Sequence, residues 1–220
     1  RHLERKSIMS VTVDSLALGP VSANTYIVTD DATGETAVID AGACTDELLD
    51  KLKDKNVRYI LLTHGHYDHI LGVPALKAHT GAEVLIHKAD ADCFWDTEKS
   101  LASFDHSFSQ TPMKADRLLS DGEEIHLGET VLSVLHTPGH TKGGVCYIDY
   151  QDRLIFSGDT LFCLTAGRTD FPGGSFEELM ASLITLRNLP GDYIVYPGHN
   201  RATTLEHERV RNRYMRRIGK

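Results

Sequence analysis

One short stretch limits what this 220-residue chain can become more than any other: His64-Gly65-His66-Tyr67-Asp68-His69. It follows Val57–Leu62, an apolar-rich run that reads as a buried strand. Imidazole nitrogens and carboxylate oxygens are the donors that suit zinc, iron and manganese, and four of them crowd this one stretch. An extended strand would turn 64, 66 and 68 to one face. A loop lets the same side chains fan around two ions, so the fold has to deliver this segment from a strand end into a cleft.

Three more donors occupy similar places. His140 sits in Thr137-Pro-Gly-His140-Thr, Asp159 stands between Gly158 and Thr160, and His199 follows Pro197-Gly198. Each comes just after a run that reads as a strand. The expected strands are Val11–Leu18, Asn24–Val28, Thr36–Ile39, Val57–Leu62, Glu83–His87, Glu123–His126, Thr130–Leu135, Val145–Asp149, Arg153–Ser157 and Tyr193–Tyr196. Leu48, Leu49 and Leu52 give Asp46–Lys55 a helical apolar face, and Ile70–His79 continues as a helix. Ser175-Phe-Glu-Glu178 and Thr203-Thr-Leu-Glu206 have the spacing of helix-capping boxes. Residues 90–117, with Phe94, Trp95, Phe104, Phe108 and Met113 among polar neighbours, read either as a flap over a substrate site or as a short helix packed on the core. The remaining histidines, His2, His79, His87, His106, His126, His136 and His207, read as surface or core residues.

No linker or low-complexity segment interrupts this pattern, so residues 10–220 read as a single domain. The opening residues 1–9 read as a leader or as added residues. A net charge of −8 argues against a nucleic-acid-binding surface. The basic segment from Arg209 to Lys220 reads as a solvated helix. Cys44, Cys93, Cys146 and Cys163 are widely spaced, which fits reduced thiols and a cytoplasmic location, with Cys146 and Cys163 in the core. No apolar run reaches the roughly 20 residues a membrane span needs.

The motifs Thr63-His-Gly-His-Tyr-Asp-His69, Thr137-Pro-Gly-His-Thr141, Ser157-Gly-Asp-Thr160 and Pro197-Gly-His199, in this order, resemble the metallo-β-lactamase superfamily. The resemblance implies an α/β fold, a four-layer αβ/βα sandwich of two mixed sheets with helices on both outer faces. It also implies a ligand set: His64, His66 and His140 on one ion, Asp68, His69 and His199 on a second, and Asp159 bridging both. Asp40, in Val38-Ile-Asp-Ala-Gly42, matches a position that supports the ligands from behind. Two such cations, zinc before iron or manganese, lower the pKa of a water held between them and polarise a substrate carbonyl. Asp68 and Asp159 then orient the nucleophile and take its proton. There is no Gly-x-Ser-x-Gly elbow to supply a serine nucleophile.

Gly158-Asp-Thr-Leu-Phe162, Ala166-Gly-Arg-Thr-Asp-Phe-Pro-Gly-Gly174 and the segment from Gly198 to Arg209 resemble the short glyoxalase II-like branch. That branch implies hydrolysis of small hydroxyacyl thioesters such as S-lactoylglutathione, with no nucleic-acid or membrane partner. Where glyoxalase II has a Gly-Lys-Phe-Tyr-like segment, this chain has Gly167-Arg168-Thr169-Asp170. Arg168 either holds a substrate carboxylate or pairs with Asp170. The alternatives are hydrolysis of another ester, amide or lactone, and a mononuclear-iron persulfide dioxygenase on His64, His140 and Asp159. A degenerate binding module would require lost ligands.

Overall fold

The period of two along the strands decides the layering. In β4 (Asn56–Leu61), Tyr59 and Leu61 point into one apolar cluster, while Ile60 and the following Leu62 point into another. In β9 (Val145–Asp149), Val145 and Tyr147 share the first of those clusters, while Cys146 and Ile148 face a third. A strand apolar on both faces has to be covered on both. The result is two sheets packed face to face around a central core, each with helices on its outer side.

The computed structural model describes residues 9–217. His2 and nearly all of the expected leader at 1–9 lie outside the described residues. In the first sheet, β1 (Val11–Leu18), β2 (Ala23–Asp30) and β3 (Glu35–Ile39) run antiparallel in sequence. After α1 (Asp46–Leu52) the chain returns so that β4 lies parallel to β3. Next come α2 (Tyr67–Ile70), α3 (Val73–Thr80), and then β5 (Glu83–His87) and β6 (Arg117–Leu119), each parallel to its neighbour. In the second sheet, β7 (Glu124–Leu127), β8 (Thr130–His136), β9 and β10 (Leu154–Gly158) form an antiparallel meander. A small hairpin of β11 (Leu161–Phe162) and β12 (Thr165–Ala166) precedes α4 (Phe176–Arg187). Then β13 (Ile194–Pro197) joins parallel to β10, followed by β14 (Thr203–Thr204) and α5 (Leu205–Arg211). This is the four-layer αβ/βα sandwich.

Several local expectations shift. The first helix ends at Leu52 and not at Lys55. The helix expected over Ile70–His79 is split into α2 and α3 at Leu71–Gly72, where Gly72 N–H donates to the Ala41 carbonyl and a Cβ would strike the Ala43 backbone. The N-cap of α5 is Thr204, whose hydroxyl accepts from His207 N–H. Thr203 is held in β14, and its own hydroxyl donates to Glu208. Ser175 caps α4 as expected, but its backbone N–H goes to the Gly139 carbonyl, so only half of the reciprocal box forms.

The basic C-terminal segment is not one solvated helix. It stops at Arg211, and Asn212 is extended, with its side-chain oxygen accepting from Tyr214 N–H. Arg209 reaches back to the carbonyls of Arg187, Leu189 and Gly191 at the end of α4. Cys146 is buried as expected, whereas Cys163 is half-buried and its sulfur accepts from Arg201 Nε. The irregular stretch after β5 begins with a 3-10 turn at Lys88–Phe94 that buries Phe94 in the outer cluster of the first sheet, while Trp95, Phe104 and Phe108 stay exposed. Among the described residues, no helix is long and apolar enough to cross a membrane.

Candidate metal centre

The parallel strand pairs set the position of the site. β4 ends directly ahead of Thr63-His64, β10 ends at Gly158 ahead of Asp159, and β13 ends at Pro197 ahead of His199. β8 delivers His140 through the Thr137-Pro-Gly turn. These strand ends share one edge of the sandwich, and loops from both sheets meet there. Seven donors from four separate stretches of sequence converge in two sets. One is His64, His66 and His140; the other is Asp68, His69, Asp159 and His199.

Within the first set, His66 Nδ1 faces His140 Nε2 at 3.0 Å. Asp159 Oδ2 lies 3.3 Å from His140 Nε2 and 3.7 Å from His64 Nε2. In the second set, His199 Nε2 is 3.1 Å from Asp68 Oδ2 and 3.3 Å from His69 Nε2. Asp159 also reaches this set, with Oδ1 3.3 Å from His69 and Oδ2 3.4 Å from His199. Its carboxylate therefore stands between the two groups.

The ring orientations follow from what lies behind them. His69 Nδ1–H donates to Asp40 Oδ2 at 2.9 Å, and His140 Nδ1–H donates to the Arg168 carbonyl at 2.7 Å. Thr63 gives its hydroxyl proton to Asp40 Oδ2 at 2.6 Å, so its oxygen is left to accept from His64 Nδ1–H at 3.0 Å. In all three rings the outer nitrogen carries a proton to a partner behind it, which turns the inner Nε2 toward the other donors. Asp40 takes a third bond from Thr63 N–H. It adopts the left-handed conformation at φ 59°, which a short polar side chain tolerates.

The electrostatics divide the donors. Burial would lower His69, His140 and His199, but the carboxylates beside them raise all three, His199 to about 9, and a cation would have to displace those protons. Burial pushes His64 well down and His66 down to about 3, with the neighbouring imidazoles adding to the effect, so both are neutral donors. Burial would raise Asp68 and Asp159, but His69 beside each, with the other imidazoles, holds both carboxyls well below the usual range. Ionised carboxylates and neutral imidazoles are the ligand forms. His64 Nε2, His66 Nε2 and Asp159 Oδ1 are buried without any hydrogen-bond partner. Buried polar atoms are normally satisfied, so unpaired atoms on three of the seven donor residues, among the described residues, fit a site built to hold a cation. The donor set fits divalent metal ions.

Beside the donors opens a cleft of about 540 Å³. Val21, Leu101, Phe162, Ala166 and Phe171 form its apolar walls, and Tyr67, Thr165, Arg168 and Asn200 are polar points on its rim. Arg168 is engaged by Asp170 through two bonds of 2.6 Å and lies over the Phe171 ring at 4.1 Å. Of the two roles the sequence left open for Arg168, the pairing with Asp170 is the one formed, at the mouth of the cleft. Phe171 also sets its edge against His66, and Phe162 against His199. Tyr67 and Phe162 lie within the motifs that carry the resemblance, but nothing in the sequence marked them, Leu101 or Asn200 as cleft residues. Of the other described histidines, His87 and His136 stack on each other away from the donors.

The profile of the metallo-beta-lactamase superfamily matches residues 18–199. Hydroxyacylglutathione hydrolase GloC of Haemophilus influenzae is 34% identical over 207 residues, covering 89% of this chain and 95% of its own. Among solved structures, the BLEG-1 B3 metallo-beta-lactamase superposes with a TM-score of 0.87 at 33% identity, covering 93% of this chain and 99% of its own. TTHA1623 in a di-iron-bound form superposes with a TM-score of 0.80 at 31% identity, covering 92% of this chain and all of its own.

Proposed function

The chain belongs to the metallo-beta-lactamase superfamily, and from that premise we propose that residues 10–220 form one domain whose site hydrolyses small hydroxyacyl thioesters, S-lactoylglutathione among them. The observation that carries this reading is the placement of Asp159 between two complete donor sets at the floor of an open, mostly apolar cleft. His64, His66 and His140 would hold one divalent ion and Asp68, His69 and His199 a second, with Asp159 shared. Zinc suits the set first, and iron or manganese are close alternatives. Two such ions supply an electrophile for a carbonyl oxygen and make water a nucleophile at neutral pH.

The chain's own residues do the rest. Asp68 and Asp159, ionised in the site, align a water's lone pair toward the substrate carbonyl and accept its proton. Phe162, Phe171 and Leu101 keep bulk water from the acyl group. A thiolate leaves without strong acid assistance, its conjugate thiol having a pKa near about 8.5. Arg168 is the cation at the rim that can turn from Asp170 to a substrate carboxylate. The GloC resemblance favours this chemistry over other esters, amides and lactones.

The test is the loss of thioester absorbance with S-D-lactoylglutathione in a zinc-loaded sample. Turnover that drops by on the order of 10³-fold or more in Asp159→Ala supports the reading. No turnover in a sample carrying two metal equivalents sinks the thioester assignment and leaves the metal centre intact. Oxygen uptake with glutathione persulfide in a sample with one iron would replace hydrolysis by dioxygenation.

A further inference from the structure

Asp90 lies outside every motif the sequence singles out, yet its carboxylate is buried between two of the donor-bearing loops. Its Oδ2 accepts from Gly65 N–H at 3.0 Å and from the Thr141 hydroxyl at 2.7 Å, and its Oδ1 accepts from Gly143 N–H at 2.7 Å. Gly65 is the residue between His64 and His66, and Thr141 directly follows His140. All three donors of the first set are therefore flanked by groups that bond to one carboxylate.

The packing around Asp90 is built for this contact. A Cβ on Gly65 would lie 2.6 Å from the Cys93 sulfur, and one on Gly143 would lie 2.6 Å from Asp90 N. Only glycine lets the Lys88–Phe94 turn press against both loops at once. The second set has no direct bond to Asp90: Asp40 lies behind His69, Asp159 and His199 leave from other strand ends, and Asp68 and His69 sit in α2, past the Gly65 contact.

We propose that Asp90 is a positioning residue that sets the spacing between the His64–His66 loop and the His140 loop, and so selectively tightens metal binding by the first donor set. The inference rests on the reading of His64, His66 and His140 as one ion's ligands. Two of the three bonds, those from Thr141 and Gly143, cross from the first half of the sandwich to the second, so removing the carboxylate frees the loops to separate without displacing any ligand from its own loop. A neutral amide at 90 keeps one oxygen but turns an NH₂ group toward at least one N–H or O–H, so Asp90→Asn has the same defect in milder form.

The test is a zinc titration of the full chain against a chromophoric chelator, with His66→Ala and His199→Ala identifying which binding step belongs to which donor set. In Asp90→Ala, the step that His66→Ala abolishes weakens by about 10- to 100-fold, the range for a group that orients ligands from behind. The step that His199→Ala abolishes stays within about 2-fold. Cobalt substitution then shows an altered visible spectrum at the first step alone. If both steps are unchanged and only the unfolding temperature falls, Asp90 is merely structural and the proposal is overturned, with the metal reading intact. If the parent protein binds no zinc, both fail together. Should Asp90→Ala not fold, Thr141→Val removes one bond and keeps the carboxylate. It weakens the first step by roughly 3- to 10-fold, and Thr141→Ser restores it; an unchanged first step in Thr141→Val overturns the proposal.

Discussion

His140 donates its Nδ1–H to the backbone carbonyl of Arg168 at 2.7 Å, so a candidate metal ligand and the wall of the cleft are tied by one bond. Gly167 makes the approach possible. A Cβ there would overlap the Asp159 carbonyl oxygen and come within 3.1 Å of His140 Nδ1. Gly167→Ala is expected to push the Arg168 segment away from both donors. Overpacking of this kind costs roughly 1–3 kcal/mol. Thermal unfolding and thioester turnover should fall together, with kcat reduced more than KM is raised. Full activity in the variant would mean that the wall and the donors move independently.

Removing Asp40 should be more damaging than its place behind the ligands suggests. Its buried carboxylate accepts from Thr63 N–H, the Thr63 hydroxyl and His69 Nδ1–H. Asp40→Ala leaves these donors without partners, and cutting one member from a buried charged network costs roughly 3–5 kcal/mol. Urea unfolding of the metal-free protein measures this loss. Metal titration should show the His69 step weakened as well, by about 10- to 100-fold.

His87 supplies a pH dependence that is separate from the donors. It stacks on His136 with ring centroids 4.2 Å apart and planes 9° from parallel, and its Nδ1 accepts from Ala89 N–H. Burial, then the proximity of His136 and Lys88, lowers its pKa to about 4, while Asp121 and Glu123 oppose the shift. Between pH 4 and the ordinary value of 6.5, the unfolded chain binds the proton and the folded chain does not. The His87 contribution is therefore complete above 6.5 and declines as pH falls toward 4, with a slope of at most about 1.4 kcal/mol per pH unit. His87→Asn keeps an acceptor for Ala89 and removes the titration. Unfolding free energies measured from pH 4.5 to 7.5 should rise less steeply in the variant, and parallel curves would exclude His87 as the source.

Arg209 should behave as a helix cap and not as a surface charge. It donates to the carbonyls of Arg187, Leu189 and Gly191, where α4 ends and the chain turns toward β13. Arg209→Met keeps the aliphatic stem and loses the fork, with an expected cost of about 2 kcal/mol. Arg213→Met, whose guanidinium meets the Tyr214 hydroxyl and ring and no carbonyl among the described residues, should change stability by less than about 0.5 kcal/mol. Equal effects in the two would return Arg209 to the solvated role.

The strongest periodicities in the sequence were also the most legible. β1, β5 and β9 have the bounds that their apolar and β-branched runs imply, with β5 and β9 paired on both sides and β1 at the edge of its sheet. All seven donor positions could be named in advance, since turn residues and histidines after strands leave a local signature. What stayed hidden depends on tertiary contact. The break at Gly72 comes from the Ala43 backbone, the shift from Thr203 to Thr204 from pairing with Val195, and the burial of Asp90 from loops far away in sequence. Arg209 read as solvated because its partners are carbonyl oxygens, which leave no trace in side-chain composition.

The seven donors are drawn from both sheets, with His64, His66, Asp68 and His69 on one side and His140, Asp159 and His199 on the other. Both donor sets draw on both sheets, so a cation held there would act as a rivet across the sandwich. Its binding energy becomes cohesion between the halves, growing with the logarithm of free metal once the sites are saturated. The melting temperature of the whole chain would then serve as a gauge of metal supply.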